Sequence, residues 1–370
     1  MKLFITYEYF LPAYKAGGPV QSLANLAANY TNATIYIYCR HTDMDGSVLA
    51  NVKHNEWVQY NSHTKVYYST GNEKHTVYDI LTAVNPDVVF INGIFSPRFN
   101  IKPLLWSGDA RKVVSARGML HAGALSQKPL KKKIFLNVYK LLGLHKKCVF
   151  HATTQEEREY IYHTFGKDVK VYVAANFPNI VNKLPVANKE QGLLKLLSVA
   201  LISPMKNIKL VLEALSQCKE NITYDIFGPV KDTAYWDECK SVIATLPTNI
   251  TVNYHGAIPP EQVQLILADC HCFILPSKSE NFGHAIYEAL ASGKPVITST
   301  HTPWNDLAAS KAGVNVDIDN IATIVTAIDD MVAMGNDTYT QYSDGAVRYA
   351  SNKINIASIK KDYDAMFLNR

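Results

Sequence analysis

The sequence predicts an α/β fold made of two Rossmann-like halves facing a central cleft. Three observations predict it. Short apolar strands alternate with helical patterns along the chain, the mark of parallel sheets covered by helices. A stretch without period, from Asn176-Phe177-Pro178-Asn179 to Gln191-Gly192, interrupts the alternation. The chain has 370 residues, more than one ordinary core holds.

The elements follow in order. In the first half, strands are expected at Leu3–Thr6, Thr34–Tyr38, Val66–Tyr68, Val88–Ile91, Lys112–Ser115, Val149–Ala152 and Lys170–Val173. Helices are expected at Val20–Tyr30 and Thr154–Thr164. The second half repeats the logic, with strands at Leu194–Val199, Tyr224–Phe227, Ile250–Asn253, Cys272–Leu275 and Pro295–Thr298. Its helices are expected at Asn207–Gln217, Pro260–Ala268 and Phe282–Ala291, and Ala357–Phe367 reads as a closing helix. The boundaries expected are 1–180 for the first domain and 181–350 for the second. Residues 351–370 are expected to pack back toward the first.

Composition narrows the class. Hydrophobic residues make up 48% of the chain and charged residues 19%, as in soluble globular proteins. No apolar run is long enough to span a bilayer, and the N-terminus reads as a first strand rather than a signal peptide. Six scattered cysteines fit reduced thiols and a cytoplasmic setting, and Cys270-His271-Cys272 has no second pair at zinc-site spacing. Residues 1–180 hold 21 Lys/Arg against 12 Asp/Glu, and residues 181–370 hold 16 against 20. The basic first half suggests an anionic partner, either a membrane face or a pyrophosphate-linked acceptor. No nucleic-acid motif is present.

The densest signal is Ser279-Glu280-Asn281-Phe282-Gly283-His284-Ala285-Ile286-Tyr287-Glu288. It follows a strand and opens a helix, the place where open α/β sheets bind ligands. With Phe282 and Gly283 beginning the helix, their N–H groups can hold an anion, and Gly283 permits close approach. Glu288, roughly two turns in, can accept hydrogen bonds from a polyol. Taken singly, each glutamate is as readily a helix-dipole partner or a solvated side chain.

Other candidates lie at strand ends. Gly17 and Gly18 precede a helix whose first turn suits Pro19, without a Gly-x-Gly-x-x-Gly or Walker pattern, and Lys15 stands beside them. Ser115-Ala116-Arg117-Gly118-Met119-Leu120-His121 offers Arg117 to a phosphate and His121 to a hydroxyl or a proton. Asp43-Met44-Asp45 reads as a polar loop. Residues 130–147 form a basic amphipathic helix. Ile134, Phe135, Val138, Leu141 and Leu142 either meet an anionic membrane or pack into the core.

These motifs resemble the retaining, family 4 type glycosyltransferases of the GT-B fold ("glycosyl transferases group 1"). The Glu-x7-Glu spacing, the Phe-Gly and the following Ala-Leu-Ala-Ser-Gly-x-Pro-Val-Ile all match. The Arg-Gly-Met-Leu segment is similar to that of polysaccharide-building members, where Glu often stands at the His121 position. The resemblance implies metal-independent transfer from a nucleoside diphosphate sugar, UDP-sugar favoured over GDP-sugar, with no cofactor. The acceptor implied is a glycan, lipid-linked, at the inner face of the cell membrane. Lys206, Asn281, Phe282, Gly283, Gly17 and Gly18 would bind the donor, with Glu288 on the ribose. Glu280, Lys206 and His121 would serve the reaction, and Lys15 and Arg117 would contact acceptor or phosphate. The family usually has Arg where this chain has Leu201, five positions before Lys206. A lost charge-assisted phosphate contact costs about 1.5–3 kcal/mol. A nucleotide-sugar epimerase of the same fold and a silent nucleotide-sugar-binding protein are the alternative readings.

Overall fold

A computed structural model of the chain describes residues 1–71, 75–126 and 128–369. It divides into two compact units, Met1–Phe177 with Ile356–Arg370, and Pro178–Asn355.

The first unit is built on an eight-stranded sheet. Its strands are β1 (Lys2–Thr6), β2 (Thr34–Arg40), β3 (Trp57–Asn61), β4 (Thr64–Ser69), β5 (Val88–Asn92), β6 (Arg111–Ser115), β7 (Val149–Ala152) and β8 (Val171–Val173). Their order is β3-β4-β2-β1-β5-β6-β7-β8. All neighbours are parallel except β3 and β4. Strand β5, Val-Val-Phe-Ile-Asn, is buried at every position, because helices cover both faces of a parallel sheet. Uniformly parallel pairing, as the alternation suggests, fails at the β3 edge. Two residues, Ser62 and His63, link β3 to β4, a connection short enough only for an antiparallel hairpin.

The second unit holds β9 (Leu193–Val199), β10 (Asn221–Phe227), β11 (Ile250–Gly256), β12 (Cys272–Leu275), β13 (Val296–Ser299) and β14 (Gly313–Val316). The order is β11-β10-β9-β12-β13-β14, all parallel. Between Val173 and Leu193 there is no helix or strand.

Strand β14 and helices Ile321–Ala333 and Asn336–Lys353 fall outside the expected elements. The first of these helices does carry a helical apolar row, Ile321, Ile324, Ile328 and Met331. The last helix is largely polar, yet it buries Tyr339, Ser343, Gly345, Ala346, Tyr349 and Ala350. Gly345 lets it approach the turn before β14: a Cβ there would sit 2.3 Å from the Lys311 carbonyl oxygen. Its burial thus depends on a small residue rather than on an apolar stripe.

The closing helix, Ile356–Leu368, belongs to the first unit. Tyr363 stacks on Phe177 at 5.0 Å, and Phe367 meets Phe90 at 5.4 Å and Tyr30 at 5.6 Å. Asp364 accepts a 2.6 Å hydrogen bond from the Tyr30 hydroxyl.

Candidate active site

In the second sheet the strand order reverses at β9, which has β10 on one side and β12 on the other. Loops leaving the carboxyl ends of such strands diverge and open a crevice. The loop after β9 carries Lys206, and the loop after β12 carries Glu280. Lys206 Nζ lies 2.5 Å from Glu280 Oε1. The Ser277 hydroxyl donates to the same oxygen at 2.7 Å, and the Lys278 amide donates to the Met205 carbonyl at 2.9 Å. The two side chains of the ion pair are only 21% and 11% exposed. A partly buried pair is screened less than a surface pair, so its charges hold one another in place.

The turn that follows differs in one respect from the sequence expectation. Phe282 and Gly283 do not begin the helix, which runs from His284 to Ala291. Gly283 precedes it as a left-handed cap, φ 74° and ψ 60°. A Cβ on Gly283 would lie 3.2 Å from Trp304 Nε1 and 3.2 Å from Ile286 Cδ1. The Phe282 ring is buried and meets Trp304 edge-on at 5.5 Å, and the Phe282 carbonyl accepts a hydrogen bond from Trp304 Nε1. Phe282 therefore shapes the turn by packing. The positive end of the helix dipole falls at His284, one residue beyond Gly283. Asn281 is half-buried in the turn.

Glu288 is the fifth helical residue, one turn in rather than two. It is 7% exposed, and its Oε1 accepts a 3.1 Å hydrogen bond from Asn179 Nδ2. Burial raises its carboxyl from 4.5 to about 7, with the Asn179 amide opposing the rise. A carboxylate so poorly solvated is stabilised by any hydroxyl donor that reaches it.

The first unit places its candidates at the carboxyl edge of its own sheet. Gly17 adopts φ 74° ahead of helix Gly18–Asn29, and a Cβ on Gly18 would meet nothing within 4 Å. Lys15 Nζ is 2.6 Å from Asp45 Oδ2, so its charge is already answered within the loop. Asp43 accepts from the amides of Lys15 and Met44, which makes the Asp-x-Asp a loop brace. Arg117, expected to meet a phosphate, turns inward. Its Nε donates to Asn92 at 2.8 Å and its Nη1 to Asn176 at 2.7 Å, with the guanidinium over the Phe90 ring. Its Nη2 is buried without a partner. His121 Nδ1 accepts from the Gly123 amide at 3.0 Å, which places the proton of the neutral ring on Nε2. Its ring meets Tyr160 edge-on at 5.3 Å.

Residues 182–347 match the family model described as Glycosyl transferases group 1. The match takes in just under half of the chain. A curated relative, the alpha-monoglucosyldiacylglycerol synthase of Streptococcus pneumoniae, is 30% identical over 139 residues. That match takes in 37% of this chain and 30% of the relative, so the chain spans about a third of that protein's length. Among solved structures, the sucrose-phosphate synthase of Thermosynechococcus elongatus superposes with a TM-score of 0.75 at 15% identity, over 99% of this chain and 98% of that one. Anabaena HepE, solved with UDP and glucose, gives 0.68 at 17% identity, over 98% of each chain. Both units are α/β, and the fold is GT-B. The group 1 segment contains Lys206, Glu280, Asn281, Phe282, Gly283 and Glu288.

Sequence reasoning missed several residues around this site. Asn179 sits in a stretch without period, and nothing in it signals a bond 109 positions away. Ser277 and Lys278 stand just before the motif and were passed over. Trp304 lies beyond the motif, yet it is 1% exposed and holds the Phe282 carbonyl. Leu201 is half-buried in the loop after β9, and the only arginine of residues 178–355 is Arg348, in helix Asn336–Lys353.

Proposed function

We propose that the protein is a retaining, metal-independent glycosyltransferase of the family 4 type. It moves a sugar from a nucleoside diphosphate sugar, UDP-sugar over GDP-sugar, to a glycan or lipid-linked acceptor in surface-glycan synthesis. The observation that carries this reading is the Lys206–Glu280 pair at the β9–β12 switch point, inside a group 1 segment. Two similar proteins support the substrate class: one is an alpha-monoglucosyldiacylglycerol synthase, and another was solved with UDP and glucose.

In this reading the donor diphosphate shares the Lys206 ammonium with Glu280, beside the start of helix His284–Ala291. The bond from the anomeric carbon to the β-phosphate oxygen breaks, and its electron pair stays with the phosphate. Lys206 offsets the charge that develops there. The acceptor hydroxyl oxygen bonds the same face of the sugar, and its proton passes to the leaving phosphate. Glu288 accepts from the ribose hydroxyls, and Glu280 orients the sugar. Lys278 is exposed, and its amide is tied to the residue before Lys206. It supplies the second cation that Leu201 does not.

The test incubates the pure protein with a panel of UDP- and GDP-hexoses and with glycan and lipid acceptors, followed by NMR of the anomeric proton. Release of UDP with a product of the donor's anomeric configuration is expected. An inverted product contradicts retention. A changed free nucleotide sugar without acceptor shows epimerase chemistry instead.

A further inference from the structure

The helix Pro129–Leu141 of the first unit turns apolar side chains in two opposite directions. Leu136 and Tyr139 are buried beneath it, and Phe135 packs on the same core. Leu130, Ile134, Val138 and Leu141 are 69%, 55%, 47% and 85% exposed, and Leu142, which caps the helix, is 61% exposed. At 3.6 residues per turn, spacings of four, four and three align the first four in one outward row. Lys131 falls on one side of that row, and Lys133 and Lys140 on the other; all three are exposed.

This decides between the two sequence readings of the helix. Ile134 and Val138 do not enter the core. Five large apolar side chains within 13 residues remain in water, a pattern that marks an interaction surface. The charge around them has one sign: residues 128–147 hold seven lysines and no Asp or Glu. Residues 110–155 as a whole carry ten Lys/Arg and no acid, on a chain whose net charge is +5. No helix among the described residues is long and apolar enough to cross a membrane. An apolar row with cationic borders matches the boundary of an anionic bilayer, where side chains enter the acyl edge and ammonium groups meet headgroup phosphates.

We propose that the outer face of helix Pro129–Leu141, with Leu142, docks on an anionic lipid bilayer. The docking is reversible and lies in the interfacial plane. It is read without any nucleotide sugar, so it stands or falls separately from the transfer chemistry.

The test is flotation of the full chain with vesicles of phosphatidylglycerol and phosphatidylcholine, against vesicles of phosphatidylcholine alone. Two variants are used, Lys131→Glu/Lys133→Glu/Lys140→Glu and Ile134→Ser/Val138→Ser/Leu141→Ser. All six positions are exposed, and circular dichroism checks that the fold is kept. The wild type is expected to float with the anionic vesicles only, and less as salt rises. Each variant is expected to lose about tenfold or more in partitioning. Equal flotation of wild type and variants, or none by the wild type, overturns the proposal. So does a dimer in sedimentation velocity that the serine variant dissolves, because a second copy would then cover the face.

Discussion

Glu288 is a carboxylate held in a place that disfavours its charge. Its ordinary value is 4.5 and its folded value about 7. Between these two, the folded protein keeps a proton that the unfolded chain has lost. Stability therefore falls as pH rises through this window, and the loss, about 3 kcal/mol, is complete above the folded value. Glu288→Gln carries no such cost. In urea unfolding it should match the wild type near the lower limit and exceed it increasingly toward the upper one. A gap that does not change with pH would show that burial is not the cause. The same carboxyl should lose its proton when ribose hydroxyls reach it, so UDP binding near neutral pH should release protons. Calorimetry in buffers of different ionisation enthalpy reads this. The identity of Glu288 was legible in the sequence from its spacing to Glu280. Its burial was not, because Asn179, its hydrogen-bond partner, comes from a segment with no pattern of its own.

At the scale of elements, the turn between β12 and helix His284–Ala291 is fixed from behind. Trp304 donates to the Phe282 carbonyl, and its ring packs on Phe282 and on Tyr287, 5.7 Å away. Trp304→Phe keeps most of the packing and removes the donor, leaving a buried carbonyl unpaired at a cost of about 1–3 kcal/mol. We expect a folded protein with a lower Tm and a weakened KM for the donor. Unchanged donor kinetics with a lowered Tm would make Trp304 a purely structural residue. The strand, loop and helix of this motif were all readable from pattern and turn residues. The helix start was misplaced by two residues, because the left-handed Gly283 cap leaves no side-chain signature beyond the glycine itself. The β3–β4 hairpin was missed for a different reason: an edge strand buries little, and Trp57–Asn61 shows no clear alternation.

For the whole molecule, the two-unit division was legible from the patternless stretch, and the structure divides the chain at Phe177 and Pro178. The second crossing, at Asn355 and Ile356, has a structural consequence. Removing residues 356–370 strips Tyr363 and Phe367 from the aromatic ring contacts of Tyr30, Phe90 and Phe177. Such a truncation should abolish cooperative unfolding of the first unit and leave that of residues 178–355, as followed by limited proteolysis during heating. Loss of both at once would contradict the division. The polar helix Asn336–Lys353 was the least legible: its burial comes from small residues and tyrosines, which periodicity reads poorly. The central claim is that the second unit holds a nucleoside diphosphate at Lys206 and the Glu280–Glu288 turn. Isothermal titration of UDP into the full chain tests it most directly. Saturable binding that weakens at least about tenfold in Lys206→Ala is predicted; no binding by the wild type, or equal affinity in both proteins, would contradict it.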